Sequence, residues 1–123
     1  MWRALIVSTL IFFSCQKNPA SSSSKGYTAA RIAITSWNQD YYSALQEYGY
    51  VKIYYNIENI GTAHIDYYKV YFKIKCFDGS EYIEWDNGLD VSVGKKISDN
   101  TMVDCAEKQA TSVTVDDYEL TSY

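Results

Sequence analysis

The most regular alternation of hydrophobic and polar positions lies between Tyr50 and Gly79. From Ile65 to Phe77, residues with apolar character alternate with tyrosine and lysine. A helix cannot produce this period of two, so the pattern predicts a β-strand with one buried face. Tyr50 to Glu58 alternates in the same way and predicts a second strand. Gly61 lies in the short segment between them, where it allows the chain to turn.

The predicted core is formed by the apolar face of each of these two strands. The inward residues are Val51, Ile53, Tyr55, Ile57, Tyr68, Val70, Phe72, Ile74 and Cys76.

Shorter segments on both sides add further strands. Those predicted are Ala29 to Trp37, Glu81 to Trp85, Ile97 to Cys105 and Gln109 to Leu120, the last with Val113 and Val115 inward. Asp78-Gly79 is a strong hairpin signal, and Asp86 to Gly88 predicts another turn. Asn38 to Glu47 is consistent either with one helical turn or with an irregular crossover.

Six to seven strands separated by short turns predict an all-β fold, arranged as an antiparallel β-sandwich, with a small open barrel as the alternative. A domain of this size can bury a core without metal or cofactor, and the sequence indicates neither.

The N-terminus has the features of an export signal. Residues 1–14 (MWRALIVSTLIFFS) combine a basic start with an apolar run from Ala4 to Phe13. Such a run is shorter than the roughly 20 residues that span a bilayer as a helix, and it matches the apolar region of a secretory signal.

The apolar run ends in Ser14-Cys15 and is followed by a polar, serine-rich stretch. This arrangement resembles the signal of bacterial lipoproteins, although Phe12 and Phe13 stand where that family usually has Leu and a small residue. The resemblance implies lipidation of Cys15 and attachment of an exported protein to the bacterial cell envelope, most simply at the outer membrane. The alternatives are an ordinary cleaved signal followed by a spare cysteine and an uncleaved apolar tail. It divides the chain into a signal peptide (1–14), a lipidated cysteine with its tether (15–27) and a domain (28–123).

Charge and aromatic content indicate which kinds of partner the protein could bind. The formal net charge is -4, which disfavours nucleic acid as a partner because such partners require a basic footprint. Tyrosine is unusually frequent, with 13 residues in the chain. Tyrosine is enriched both in strands and at recognition surfaces.

Two cysteines remain in the predicted domain. Cys76 and Cys105 each end a predicted core-facing strand, and an exported protein meets oxidising conditions. We therefore expect a disulfide between them, with a pair of separate buried thiols as the alternative.

The sequence offers little catalytic or metal-binding chemistry. His64 is the one histidine, and it is predicted to be an exposed loop residue. Asp86 and Asp90 lack the spacing of a calcium loop. Since no serine-hydrolase elbow is present, we expect no catalytic residues, no metal site and no enzymatic activity.

One predicted surface could bind a ligand. Its outward-facing residues are Tyr50, Tyr54, Tyr67, Lys69, Tyr71 and Lys73. Exposed aromatic side chains can stack on sugar rings or anchor a partner protein. They can also pair across strands simply to stabilise a sheet.

A second resemblance concerns the domain. Asn59-x-Gly61, Tyr68-x-Val70-x-Phe72 and Asp78-Gly79 resemble the FxLYD-type immunoglobulin-like domains of bacterial lipoproteins, with Ile74-x-Cys76-Phe77-Asp78 standing where that family has Phe-x-Leu-Tyr-Asp. The resemblance implies an immunoglobulin-like sandwich and no catalytic set. The function expected is therefore that of a lipid-anchored interaction or accessory module of the cell envelope, binding an envelope protein. The alternative is a glycan-binding module that uses the tyrosine and lysine side chains.

Overall fold

The computed structural model describes residues 26–123. The predicted signal peptide, Cys15 and nearly all of the tether lie outside the described residues. The six strands are β1 (Ala30–Tyr42), β2 (Glu47–Asn59), β3 (Ile65–Cys76), β4 (Glu81–Val91), β5 (Lys96–Val103) and β6 (Ala110–Thr121). Among the described residues, no helix is long and apolar enough to cross a membrane.

The strands form two antiparallel sheets of three strands each. One sheet has the order β1-β2-β5, and the other has the order β4-β3-β6. The all-β prediction and the six-strand sandwich architecture are therefore confirmed. The two strands with the clearest alternation, β2 and β3, are the central strands of the two sheets.

The core lies between the inner faces of β2 and β3. Tyr55 of β2 and Phe72 of β3 meet there, with their ring centroids 5.1 Å apart. All nine residues predicted to face inward on these strands are buried, as are Val113 and Val115 of β6. Alternation identified these faces correctly because each central strand has one side against the opposite sheet and the other toward solvent.

The prediction for Asn38 to Glu47 was wrong. Instead of a helical turn or crossover, β1 continues to Tyr42 and forms a hairpin with β2, in which Tyr42 pairs with Glu47. Register shifts between Ile34 and Ser36 and between Gln39 and Tyr41 interrupt the alternation along β1. Such bulges place one extra residue in a strand and hide its period of two.

The turn predicted at Asp86 to Gly88 is also not formed, because β4 runs without a break through this segment. Asp86 pairs with Val70, and Gly88 pairs with Tyr68. A Cβ atom on Gly88 would lie 2.4 Å from the Tyr68 hydroxyl oxygen, so glycine serves here for close approach rather than for a turn. The Asp78-Gly79 turn is confirmed, with Gly79 at φ 91°.

A crossover between the sheets connects β2 to β3. The buried side chain of Asn59 donates hydrogen bonds to the carbonyls of Ala63 and Val91, at 2.9 and 2.8 Å, and accepts one from the amide of Gly61 at 3.0 Å. A Cβ on Gly61 would lie 2.5 Å from the carbonyl oxygen of Tyr27, so the segment that leads into β1 packs directly on this crossover.

Candidate functional site

Four of the residues predicted to form a binding surface project from the outer side of β3: Tyr67, Lys69, Tyr71 and Lys73. Lys69 is the centre of an aromatic cluster. Its Nζ lies 4.4 Å from the ring centroid of Trp85 on β4 and 5.6 Å from that of Tyr71. Trp85 is the register partner of Tyr71 across the two strands. The ammonium group therefore lies close to two aromatic rings, in the geometry of a cation–π contact.

Neighbouring strands hold the other polar atoms of this surface in place. The Tyr71 hydroxyl donates to Glu119 of β6 at 2.9 Å, and this hydrogen bond raises the pKa of Tyr71. The Tyr67 hydroxyl accepts from Asn87 at 3.2 Å. Because each tyrosine has a cross-strand partner, both rings have a defined orientation on the sheet.

An apolar strip continues the same surface along β4. Ile83, Trp85 and Leu89 are 50%, 49% and 64% exposed. They pair with Lys73, Tyr71 and Tyr67 respectively. We call the outward residues of these two strands the aromatic–lysine face: Tyr67, Lys69, Tyr71, Lys73, Ile83, Trp85 and Leu89. Leu89 was missed because the predicted strand ended at Trp85, whereas β4 continues to Val91.

Tyr50 and Tyr54 do not belong to this face. They project from the outer side of β2, which lies in the other sheet. Since the inner sides of β2 and β3 meet in the core, their outer sides point in opposite directions. The six residues predicted to share one surface are therefore divided between the two sides of the sandwich.

Tyr50 instead lines a cleft at one end of the β1-β2-β5 sheet. The cleft has a volume of about 370 Å³, and its walls include Tyr42, Tyr48, Asp40 and Glu47. The Tyr42 ring lies over Gly49, where a Cβ would be 2.9 Å from the ring. The cleft thus combines aromatic rings with carboxylates, a composition that suits a polyhydroxyl or cationic ligand.

Gln39 holds the wall of this cleft together. Its side-chain amide donates to the carbonyls of Gly49 and Lys108, at 2.9 and 2.8 Å, and its carbonyl accepts from the amide of Ala110 at 2.8 Å. One side chain therefore links the β1-β2 hairpin to the loop before β6. Sequence reasoning missed Gln39 because an isolated glutamine gives no pattern signal.

His64 lies at the opposite end of the sandwich with two acidic neighbours. Its Nε2 atom is 3.2 Å from Asp90 Oδ1 and 3.8 Å from Asp66 Oδ1. The ligating atoms of the three side chains all lie within 4.8 Å of one another, so this group could hold a metal ion. No metal site was expected from the sequence, because Asp90 is distant from His64 along the chain and only strand pairing brings them together.

A partly buried polar network links the two sheets. The Tyr55 hydroxyl donates to Asp86 of β4 at 2.6 Å, and the Tyr68 hydroxyl donates to Asp99 of β5 at 3.2 Å. Burial raises the pKa values of Tyr55, Tyr68 and Asp86. The network links strands of the two sheets and satisfies two hydroxyl groups within the core.

The expected disulfide is not formed in the structure. Cys76 and Cys105 are buried free thiols. The pKa of Cys105 is raised to about 12, mainly by burial and to a smaller extent by the neighbouring Cys76 thiol.

Comparison of the chain with protein-family models, with curated proteins and with solved structures gave no match.

Proposed function

We propose that this protein is an exported, lipid-anchored module of the bacterial cell envelope that binds another envelope protein and has no enzymatic activity. The anchor rests on the apolar run before Cys15. Attachment through more than one acyl chain is effectively stable, since each buried CH₂ contributes roughly 0.8 kcal/mol.

The strand order supports an immunoglobulin-like sandwich. In that fold the first, second and fifth strands share one sheet, while the third and sixth pair in the other. The sheets β1-β2-β5 and β4-β3-β6 have this arrangement, with β4 added beside β3 as in variable-type domains. A fold of this type carries many functions, so the activity is argued from the surface.

The aromatic–lysine face is the observation that carries the binding proposal. Trp85, Tyr71 and Tyr67 supply large side chains of the types enriched at the energetic centres of protein interfaces. Their cross-strand contacts fix the rings before binding, which reduces the entropy that association costs. Lys69 gives the face a positive component that favours a partner with exposed acidic groups, whereas Lys73 is already paired with Asp116 at 3.5 Å.

Site-specific photo-crosslinking in native cells tests this proposal. A photoreactive residue at Leu89 is expected to give a discrete crosslinked product that is lost when Trp85→Ala is added. The matched control is a photoreactive residue at Tyr54, on the opposite sheet. Equal products from both positions, or a Leu89 product unaffected by Trp85→Ala, would contradict binding through this face.

The anchor has a separate test. Metabolic labelling with palmitate is expected to mark the protein and to disappear in Cys15→Ala. Labelling that persists in this variant, or that is absent from the parent protein, would contradict lipidation at Cys15.

Glycan binding is the second candidate, and the neighbouring side chains of Trp85 and Tyr71 favour it because sugar rings stack on exposed aromatic faces. The cleft at Tyr50 is a separate place for such a ligand. Glycan binding predicts saturable quenching of tryptophan or tyrosine fluorescence. The quenching is expected to be lost in Tyr67→Ala and Tyr71→Ala if the sugar binds the face, or in Tyr50→Ala if it binds the cleft. A flat titration across a broad glycan panel excludes it.

A further inference from the structure

We propose that His64, Asp66 and Asp90 form a binding site for a divalent transition-metal ion of the Zn²⁺ type. This inference is independent of the proposed interaction function, because the cluster lies at the end of the sandwich and shares no residue with the aromatic–lysine face.

The β3-β4 pairing assembles the cluster. Ile65 pairs with Val91, and Tyr67 pairs with Leu89. The residues between them, Asp66 and Asp90, consequently occupy opposing positions at the same end of the two strands. His64 immediately precedes β3 and places its imidazole beside both carboxylates.

The charge of the cluster favours a cation. Like charges at opposing positions of a strand pair are destabilising. Among residues 26–123, the ion-pair contacts of Asp66 and Asp90 are with His64. A divalent ion between these carboxylates would balance both negative charges.

The distances fit tetrahedral coordination. Zn²⁺ binds imidazole nitrogen and carboxylate oxygen at about 2.0–2.2 Å, so two of its ligand atoms are about 3.4 Å apart. The His64–Asp90 separation of 3.2 Å and the His64–Asp66 separation of 3.8 Å bracket this value. The two carboxylate oxygens lie within 4.8 Å of each other, so side-chain movements of up to roughly 1 Å would bring the three atoms to coordination distance.

The backbone already orients one of the carboxylates. Asp66 Oδ2 accepts a hydrogen bond of 2.7 Å from the amide of Tyr123, whereas Oδ1 of the same group is the atom nearest His64. One oxygen is thus held by the protein while the other remains available as a ligand, which is a common arrangement around metal-binding carboxylates.

The ligand types determine which ions the site should prefer. Imidazole suits Zn²⁺, Ni²⁺ and Cu²⁺, whereas Ca²⁺ and Mg²⁺ prefer oxygen alone. Three protein ligands leave the fourth tetrahedral position to water or to a donor group from another molecule. The exposed side chains of His64 and Asp90 keep that position accessible.

Calorimetric titration of the full chain with ZnCl₂ tests the site. The protein is purified without a polyhistidine tag, in a Cys15→Ser background that removes the thiol outside the buried pair. We expect one saturable site, weakened at least roughly tenfold in His64→Ala and in Asp90→Asn. Asparagine is the matched replacement at position 90 because Asp90 has φ 57°, a conformation that asparagine tolerates.

Glu81→Gln is the control, since it removes an exposed carboxylate from the other end of β4 and should leave Zn²⁺ affinity unchanged. NMR spectroscopy provides a second measurement that does not depend on calorimetry. His64 is the one histidine, so its imidazole resonances are readily assigned and should shift on Zn²⁺ addition. Absence of saturable binding, equal affinity in His64→Ala, or displacement of Zn²⁺ by equimolar Ca²⁺ would overturn the proposal.

Discussion

Replacing Gly88 with alanine tests whether β4 is continuous through a position whose sequence suggests a turn. A Cβ built on Gly88 lies 2.4 Å from the Tyr68 hydroxyl oxygen and 2.5 Å from the adjoining ring carbon Cζ. Both distances are far below ordinary contact, so one of the two groups must move. Tyr68 is fully buried, and its hydroxyl is bonded to Asp99, so its ring has little room to retreat.

The expected change in the free energy of unfolding is the sum of opposing effects. Alanine in place of glycine inside a strand normally stabilises by roughly 0.5–1 kcal/mol. Overpacking a core costs about 1–3 kcal/mol, and loss of the Tyr68–Asp99 hydrogen bond adds about 1 kcal/mol or more. We therefore expect Gly88→Ala to destabilise by about 2 kcal/mol, which corresponds to a fall in Tm of roughly 8–16 °C for a domain of this size.

Urea denaturation followed by circular dichroism measures the change in the free energy of unfolding, and the sign of this change distinguishes a continuous strand from an open turn. If residues 86–88 formed an open turn, Gly88→Ala would be neutral or stabilising, and that result would refute the close approach. A double-mutant cycle with Tyr68→Leu identifies the cause. In the leucine background the ring is absent, so the penalty of Gly88→Ala should largely disappear.

Three further predictions concern groups in and around the core. Tyr55→Phe leaves the carboxylate of Asp86 without its hydroxyl donor and should lower the free energy of unfolding by about 1–3 kcal/mol at pH 7. The decrease should be smaller in acid, where Asp86 is protonated. Urea denaturation at neutral and at acidic pH measures both values. Hydrogen bonds from Ser80, and to a smaller extent from Lys108, lower the pKa of Asp78 to about 2. The contribution of ionised Asp78 to folding stability should therefore be present above pH 3.8 and be lost as the pH falls toward 2. An NMR titration midpoint of Asp78 near 4 would contradict this. Because Cys76 and Cys105 are both buried, and burial raises the pKa of Cys105 to about 12, iodoacetamide should label neither thiol in the native protein at pH 8 but both after unfolding without reductant. Failure to label the unfolded chain would show that the pair is oxidised.

The strands best predicted from sequence are those with one wholly buried face. β3 alternates cleanly because Tyr68, Val70 and Phe72 all point into the core, and the same holds for the central part of β2. The Asp78-Gly79 turn was also readable, because the positive φ of Gly79 is a local requirement of the backbone. In these places a single local constraint determines the residue type.

The sequence was misleading where polar residues or glycine serve tertiary contacts inside a strand. Asp86 looks like a turn residue, but it accepts a hydrogen bond from Tyr55 of the other sheet. Gly88 looks like its companion in that turn, yet it makes room for the Tyr68 ring. Neither contact can be inferred locally, because both depend on residues that are distant along the chain.

Strand pairing was the larger unknown, and it determines which surfaces exist. Consecutive strands with a short connection suggest a hairpin, but β2 and β3 lie in different sheets, and the buried side chain of Asn59 holds the crossover between them. This single topological fact separates Tyr50 and Tyr54 from the aromatic–lysine face. The pairing of β3 with β4 places His64 near Asp90, although the two residues are distant along the chain.

The topology also determines how far the His64 cluster and the Tyr50 cleft lie from the proposed lipid anchor. The segment entering β1 packs on the β2-β3 crossover, since the amide of Thr62 donates to the carbonyl of Tyr27 at 3.0 Å. The tether therefore joins the domain at the same end as His64. From there β1 runs from Ala30 to Tyr42, which at about 3.3 Å per residue places the cleft roughly 40 Å farther along the strand. If Cys15 is lipidated, a metal ion at His64 would lie toward the membrane and the cleft away from it. A paramagnetic lipid should then broaden the NMR signals of His64 more strongly than those of Tyr42, and the reverse order would contradict this orientation.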